Sequence, residues 1–248
     1  IPNDFRISGT LETLDVRASI NGVGSQIMKI KVVPFTPVES INITAPGVTN
    51  NTVYVEVGQN GGTSTFTADV KPDSRKQDYM WVCTLDSSST IGETKIENGV
   101  LTIDSKRTTA FPVYATIKNG KIVNGIMQEV QSNKITVNPF TSVTNVAITC
   151  EPVTPGKQFK FTADITPANS TNKTVTWKIE GQKTGTTINP TTGSLTLADG
   201  DDSEITVTAT ITNGKLENGT RVNYIATVKF QNGSIISQTT KANPFTIT

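Results

Sequence analysis

The dipeptide Pro-Phe occurs three times, at Pro34-Phe35, Pro139-Phe140 and Pro244-Phe245, and successive copies are 105 residues apart. A fixed interval of that size marks repeated structural units. The chain therefore reads as the tail of one unit, residues 1–35, followed by two whole units, 36–140 and 141–248. Shorter blocks recur between the markers. Phe66-Thr67-Ala68-Asp69 answers to Phe161-Thr162-Ala163-Asp164, and Gly99-Val100-Leu101-Thr102 to Gly193-Ser194-Leu195-Thr196. Ala115-Thr116-Ile117 answers to Ala209-Thr210-Ile211. The offset drifts from 105 to about 94 and back, so insertions and deletions fall between the blocks, where loops are expected.

Each unit has a strand-like pattern. Val53-Tyr54-Val55-Glu56-Val57 and Thr206-Val207-Thr208-Ala209-Thr210-Ile211 alternate apolar and polar residues with a period of two. Threonine on the outward face suits a pleated, solvated surface. Eight Asn-Gly pairs punctuate the chain. Asparagine and glycine both tolerate positive φ, so each pair predicts a tight hairpin turn, including Asn119-Gly120, Asn124-Gly125, Asn213-Gly214 and Asn218-Gly219. Short strands in units of about 105 residues predict an all-β chain of tandem immunoglobulin-like β-sandwiches, joined end to end as a rod.

One tryptophan per unit, Trp81 and Trp177, follows the Phe-Thr-Ala-Asp block, where a core tryptophan of the third strand belongs. Trp81, Trp177, Phe66 and Phe161 are thus the expected core aromatics. Pro34, Phe35, Pro139 and Phe140 are the expected domain-junction residues, with the phenylalanine buried where one unit meets the next. Few residues, none of them glycine, separate the strand ending at Phe140 from that beginning at Val143, which predicts a stiff linker. Residues 1–35 supply only the last strands of a sandwich and cannot close one alone. Either the chain is cut from a longer array or another chain or segment completes this unit.

The run from Ala163 to Trp177, Ala-Asp-Ile-Thr-Pro-Ala-Asn-Ser-Thr-Asn-Lys-Thr-Val-Thr-Trp, resembles the bacterial immunoglobulin-like domains of group 2. The Gly-rich turn before a short strand, Pro190 to Thr196, stands where that family has one. Unit one keeps Pro72 and Trp81 but lacks the Asn-Lys signature. The resemblance implies an extracellular, non-catalytic building block, as in intimin- and invasin-like adhesins, surface-layer proteins, phage decorations and accessory modules of secreted glycosidases.

Catalytic chemistry is hard to assemble from this chain. It has no histidine, the commonest general base and metal ligand. Its two cysteines, Cys83 and Cys150, fall at non-equivalent repeat positions and read as small hydrophobes rather than half-bridges. Asp69 and Asp164 recur, as scaffold features rather than catalytic carboxylates. The one acidic cluster, Asp199, Asp201, Asp202 and Glu204, is a weak calcium candidate; otherwise no cofactor is expected. A net charge of +1 gives no broad attraction to nucleic acid, and no apolar run is long enough for direct membrane insertion. The expected partners are other copies or neighbouring domains of the parent protein, or a host surface protein or glycan.

The leading expectation is a non-catalytic structural or adhesion module of a bacterial extracellular, cell-surface protein, acting as a stiff spacer or an assembly unit of a stalk or surface layer. The alternatives are a phage virion decoration or tail protein, or an accessory glycan-binding or spacer module of a secreted glycosidase.

Overall fold

A computed structural model describes residues 12–16, 19–24, 26–32, 35–75, 79–85 and 94–242. Among them the chain forms β-strands and one short 3-10 turn, Asp73–Arg75. The first strands are β1 (Glu12–Val16), β2 (Ser19–Ile20), β3 (Val23–Gly24) and β4 (Met28–Val32), with β1 antiparallel to β4 and β2 antiparallel to β3. Next come β5 (Ser40–Thr44), β6 (Thr52–Glu56), β7 (Gly62–Thr65), β8 (Thr67–Lys71), β9 (Met80–Cys83), β10 (Lys95–Glu97), β11 (Val100–Ile103), β12 (Phe111–Val123), β13 (Ile126–Gln131) and β14 (Ile135–Phe140). The last group is β15 (Asn145–Thr154), β16 (Gln158–Thr166), β17 (Val175–Glu180), β18 (Thr187–Ile188), β19 (Ser194–Thr196), β20 (Ile205–Glu217), β21 (Thr220–Gln231) and β22 (Ser234–Ala242).

Two compact units result. One gathers the described residues of Ile1–Ile41, Asp69–Met80 and Thr116–Gln131; the other gathers those of Asn42–Ala68, Trp81–Ala115 and Ser132–Thr248. These units cut across the sequence interval 36–140, whose residues are shared between them, while 141–248 falls in the second.

The clearest sandwich is built from β15 to β22. One sheet has the order β15-β16-β19-β18, the other β17-β20-β21-β22. The period of two turns every second side chain inward. Val146, Ile148, Phe159, Phe161 and Leu195 face Trp177, Val207, Ala209, Ile211, Ala226, Val228 and Phe230 in one closed core. Phe230 stands edge-on to Phe159 and Phe161, with centroids 4.9 Å and 5.3 Å away. Such pairs add about 0.5–1.5 kcal/mol each to what burial supplies. Outward threonines interact as well: the hydroxyls of Thr149 and Thr162 meet at 2.7 Å across the β15–β16 pair.

The repeated Gly-x-Leu-Thr block has a structural reason. Gly99 and Gly193 both adopt left-handed backbone, with φ of 80° and 73°. Gly99 accepts a hydrogen bond from the Phe66 N–H at 2.7 Å, and Gly193 accepts one from the Phe161 N–H at 2.9 Å. A Cβ on Gly193 would lie 2.6 Å from the Phe161 carbonyl oxygen and 2.9 Å from Trp177 Nε1; on Gly99 it would lie 2.5 Å from the Phe66 oxygen. The aromatic pairs below are alike, Phe66–Trp81 at 6.2 Å and Phe161–Trp177 at 6.1 Å. Trp177 is 5% exposed, whereas Trp81 is only half-buried; the core position expected of both is fully enclosed in one.

Not every Asn-Gly pair is a turn. Asn124-Gly125 and Asn218-Gly219 have positive φ at both residues, the requirement of a type I′ hairpin. At Asn119-Gly120 and Asn213-Gly214 only the asparagine does. These two pairs sit inside β12 and β20 at register shifts, between Ile117 and Lys121 and between Ile211 and Lys215. They are β-bulges, and glycine is needed because a Cβ on Gly120 would lie 2.8 Å from a Val130 methyl. Asn172, from the run that carries the family resemblance, donates to the Asn213 carbonyl at 2.7 Å and so fastens the second bulge.

The equal spacing of the Pro-Phe pairs conceals a rearrangement. In the first repeat, the chain between the paired strands β5 and β8 includes β6, which forms a parallel edge on β14, with Val137 opposite Val53. In the second repeat about ten residues are missing there, and β15 stays paired with β16 from Asn145 to Thr154. About eleven residues are gained later. They extend β21 to Gln231, turn at Asn232-Gly233 and return as β22, antiparallel to β21, with Ala242 opposite Tyr224. The edge that β6 fills in one repeat is thus filled by β22 in the other. The strand leading to the third Pro-Phe pair runs opposite in sense to the one leading to the second; Pro244 and Phe245 lie outside the described residues.

Gly193→Ala is expected to destabilise the protein by about 2–4 kcal/mol, combining left-handed strain with a backbone clash. Gly156→Ala is the control, since it shares positive φ but has open space around it, and about 1–2 kcal/mol is expected. Urea denaturation of both variants measures the difference; equal losses would remove the close packing as the reason for Gly193.

Candidate interaction site at the Phe140–Ser142 junction

β14 ends in Pro139-Phe140, and β6 lies beside it. Phe140 is 1% exposed and meets Tyr54 edge-on at 6.2 Å. The Val57 N–H donates to the Phe140 carbonyl at 2.7 Å, and Thr141 Oγ1 donates back to the Val57 carbonyl at 3.0 Å. The Ser142 N–H donates to Glu56 Oε1 at 2.9 Å and its hydroxyl to Glu56 Oε2 at 2.5 Å. The carboxylate therefore takes a two-point grip, of the charge-assisted kind that is stronger than a neutral hydrogen bond.

Thr141 and Ser142, with Val143 and Thr144 after them, are also tied to the strands that follow. The Thr141 N–H donates to Thr171 Oγ1 at 2.8 Å, and the Thr171 N–H to the Thr141 carbonyl at 2.9 Å. Ser142 Oγ accepts the Leu216 N–H at 2.9 Å. The Val143 N–H donates to the Gly214 carbonyl at 2.8 Å, and the Tyr224 hydroxyl to the Thr144 carbonyl at 3.1 Å. Ser142 is 8% exposed, so losing either partner would strand polar groups away from water.

Two clefts flank the segment. One, of about 250 Å³, is lined by residues including Thr49, Tyr54, Asn213 and Arg221. The Arg221 guanidinium stacks 4.2 Å over the Tyr54 ring, and a Cβ on Gly47 would come within 3.3 Å of Gly219 Cα. The other, of about 240 Å³, is lined by residues including Glu56, Gln59, Thr144 and Asn169. Both fall below the roughly 300–1,000 Å³ of small-molecule pockets. The arrangement is a joint, held by polar grips around a buried aromatic, with small grooves at its margins.

Of the junction residues expected from the sequence, Pro139 and Phe140 are buried at the end of β14. Pro34 lies outside the described residues, and Phe35 is half-buried. Sequence reasoning missed Glu56, Ser142, Tyr54 and Arg221. One signal was present. The repeat aligns Ser142 with Pro37, which has neither N–H nor hydroxyl, so the Glu56 grip is special to the second junction.

The remaining candidates separate. Asp199 pairs with Lys157 at 3.0 Å and Glu204 with Lys229 at 2.9 Å. Asp201 accepts from the Ser203 and Thr186 hydroxyls and from the Lys183 N–H at 3.2 Å. The Asp202 carbonyl accepts from Gln231 at 3.0 Å. Among the described residues no cluster of three or more metal-ligating side chains converges. Asp201 ties its loop together, and the Ser203 hydroxyl, then that of Thr186, holds its pKa down at about 2. Asp69 and Asp164 are exposed on β8 and β16. Cys83 and Cys150 are free and half-buried. Burial raises both thiols, Cys150 to about 11 with Glu151 adding to the shift, which leaves neither as a ready thiolate.

These features define a β-sandwich protein whose polar joint, rather than a pocket, is its most developed site. Residues 142–218 match the family model of the bacterial Ig-like domain (group 2). An Ig-like virion protein of Serratia phage KSP90 is 30% identical over 159 residues, 63% of this chain and 56% of that protein. The chain thus matches little more than half the length of this curated relative. Two solved structures are more distant. The C-terminal 282-residue fragment of intimin, in complex with the intimin-binding domain of the translocated intimin receptor, gives a TM-score of 0.32 at 15% identity, covering 77% of this chain and 63% of that one. Drosophila N-cadherin EC1-3 gives 0.30 at 14%, covering 92% and 79%.

Ser142→Ala is expected to cost about 1–3 kcal/mol, because Glu56 loses a hydroxyl and Leu216 its acceptor. In a double-mutant cycle with Glu56→Gln, a coupling of at least about 0.5 kcal/mol is expected; strict additivity would dissolve the grip. Asp201 supplies a pH test. Its folded pKa lies below the ordinary carboxylate value of about 3.9, so its stabilisation is present above that value and lost as pH falls through about 2. Asp201→Asn is expected to be less stable than the parent at pH 7, with the gap closing on acidification. A gap independent of pH, followed by urea denaturation, would contradict the assignment.

Proposed function

We propose that this chain is a non-catalytic structural and adhesion module, displayed on the outside of a particle or cell, that holds successive β-sandwiches at a fixed joint. The observation that carries this reading is the double tethering of Thr141 to Val143, through Val57 and Glu56 on one side and Thr171, Leu216 and Gly214 on the other. A flexible tether would leave such a segment solvated. Here its polar groups are spent on fixing geometry, which suits a spacer or assembly unit that passes load or position from one module to the next.

Of the two settings, bacterial surface stalk and virion, the virion is favoured by the likeness to the Ig-like virion protein. The module's partners in that setting are neighbouring virion subunits and, beyond them, a surface protein or glycan of the host.

Quantitative mass spectrometry tests the setting. The chain's peptides are expected to co-purify with intact phage particles through a density gradient at a constant ratio to a capsid protein. Recovery solely from the envelope of uninfected cells would overturn the virion setting and favour the stalk.

A further inference from the structure

The two repeats carry equivalent hairpins with opposite surroundings. In the second repeat, β20 and β21 meet at Asn218-Gly219, with Leu216 opposite Arg221 and Glu217 opposite Thr220. That tip is docked: Gly219 packs on Gly47, Arg221 lies on Tyr54, and Gly214 to Glu217 are buried or half-buried. In the first repeat, β12 and β13 meet at Asn124-Gly125, with Ile122 opposite Met127 and Val123 opposite Ile126. Here Lys121 to Glu129 are all exposed. The tip is nonetheless the more apolar of the two. Ile126 is 66% exposed, Ile122 and Met127 are each 47% exposed, and Val123 is 38% exposed. Four large apolar side chains on one solvated turn are costly to leave in water.

We propose that the Ile122–Met127 tip is the seat of a further Ig-like sandwich, which it meets as the Leu216–Arg221 tip meets the Gly47–Tyr54 segment. The occupant is identified by register. The Asn-Gly turn requires a glycine or other small residue opposite it, as Gly47 is for Gly219. Met127 stands where Arg221 stands, so the ring that Arg221 holds by cation–π contact is replaced by an aliphatic or aromatic side chain contacting a thioether. A second copy of this chain cannot offer its Gly47–Tyr54 surface, because its own hairpin already covers it. Placement supports the same occupant: the Thr116–Gln131 hairpin shares a compact unit with the strands of residues 12–32, which in sequence are the last strands of such a sandwich. The inference needs the repeat alone, so it stands or falls separately from the virion setting.

Ile126→Cys is introduced into the 248-residue chain and into the intact protein assembled in its native particle or envelope, with Ile236→Cys, 53% exposed in the parent residue, as the control. Peptide-resolved maleimide labelling at position 126 is expected to be about tenfold slower in the assembled protein than in the isolated chain, the protection that a modest docking equilibrium gives. The control is expected to react alike in both. Equal labelling of position 126 in the two states overturns the proposal. In the assembled protein, a photo-cross-linker at position 127 is expected to attach to a segment of Ig-like sequence outside residues 36–242; attachment to a second copy of residues 94–242, to lipid or to glycan overturns it.

Discussion

A phenylalanine, a tryptophan and a left-handed glycine set the geometry on which each repeat depends. The ring of Trp177 takes the space that a Cβ on Gly193 would need, and the Gly193 carbonyl in turn accepts from the backbone of Phe161. One contact therefore couples the two sheets, since Phe161 belongs to β16 and Trp177 to β17. It also positions the short strand β19, whose Leu195 closes the core. Non-local contacts of this kind are entropically costly to form, and a residue that satisfies steric and hydrogen-bonding demands together offsets that cost at a single position. The same trio appears in Phe66, Trp81 and Gly99, with similar ring separation and the tryptophan less enclosed.

Much of this was legible in the sequence. The alternation in Thr206 to Ile211 gave the inward and outward faces of β20, and the repeated Gly-x-Leu-Thr block located the glycine. Phe140 was marked out in the sequence because its dipeptide recurs, and it is buried at the end of β14. What was illegible depended on partners distant in the chain. Asn119-Gly120 and Asn124-Gly125 look alike locally, yet Val130 crowds the first glycine and makes it a bulge, while nothing approaches the second. Glu56 carries no local mark of its role, because Ser142 is brought to it by the parallel pairing of β6 with β14. The acidic run from Asp199 to Glu204 suggests ligation when read alone; the partners of Asp199, Asp201 and Glu204, namely Lys157, Lys229 and the hydroxyls of Ser203 and Thr186, are scattered in sequence.

The joint also shows how repeats diverge. A periodic array could use one set of contacts at each boundary, but Ser142 stands where the previous unit has Pro37. The backbone bonds do recur: Val38 donates to Gly120 as Val143 does to Gly214, and Glu39 to Lys71 as Thr144 does to Thr166. The side-chain grip is added to that shared frame. Backbone geometry is conserved between the units by the fold, while the strength of each boundary is tuned by one or two side chains.

The returning strand β22 has a mechanical consequence. In the first repeat, β6 and β14 run parallel, so tension along the chain loads their hydrogen bonds together, in shear. In the second, Ala242 lies opposite Tyr224, whose hydroxyl reaches Thr144 at the start of that sandwich. Entry and exit are therefore at one end, and tension applied between them strips β22 from β21 one pair at a time. Rupture in shear requires many bonds to fail at once, whereas peeling requires only one at each step. The two repeats would thus yield at different forces, and β22 would act as the weaker link, peeling away before the parallel β6–β14 pair is sheared.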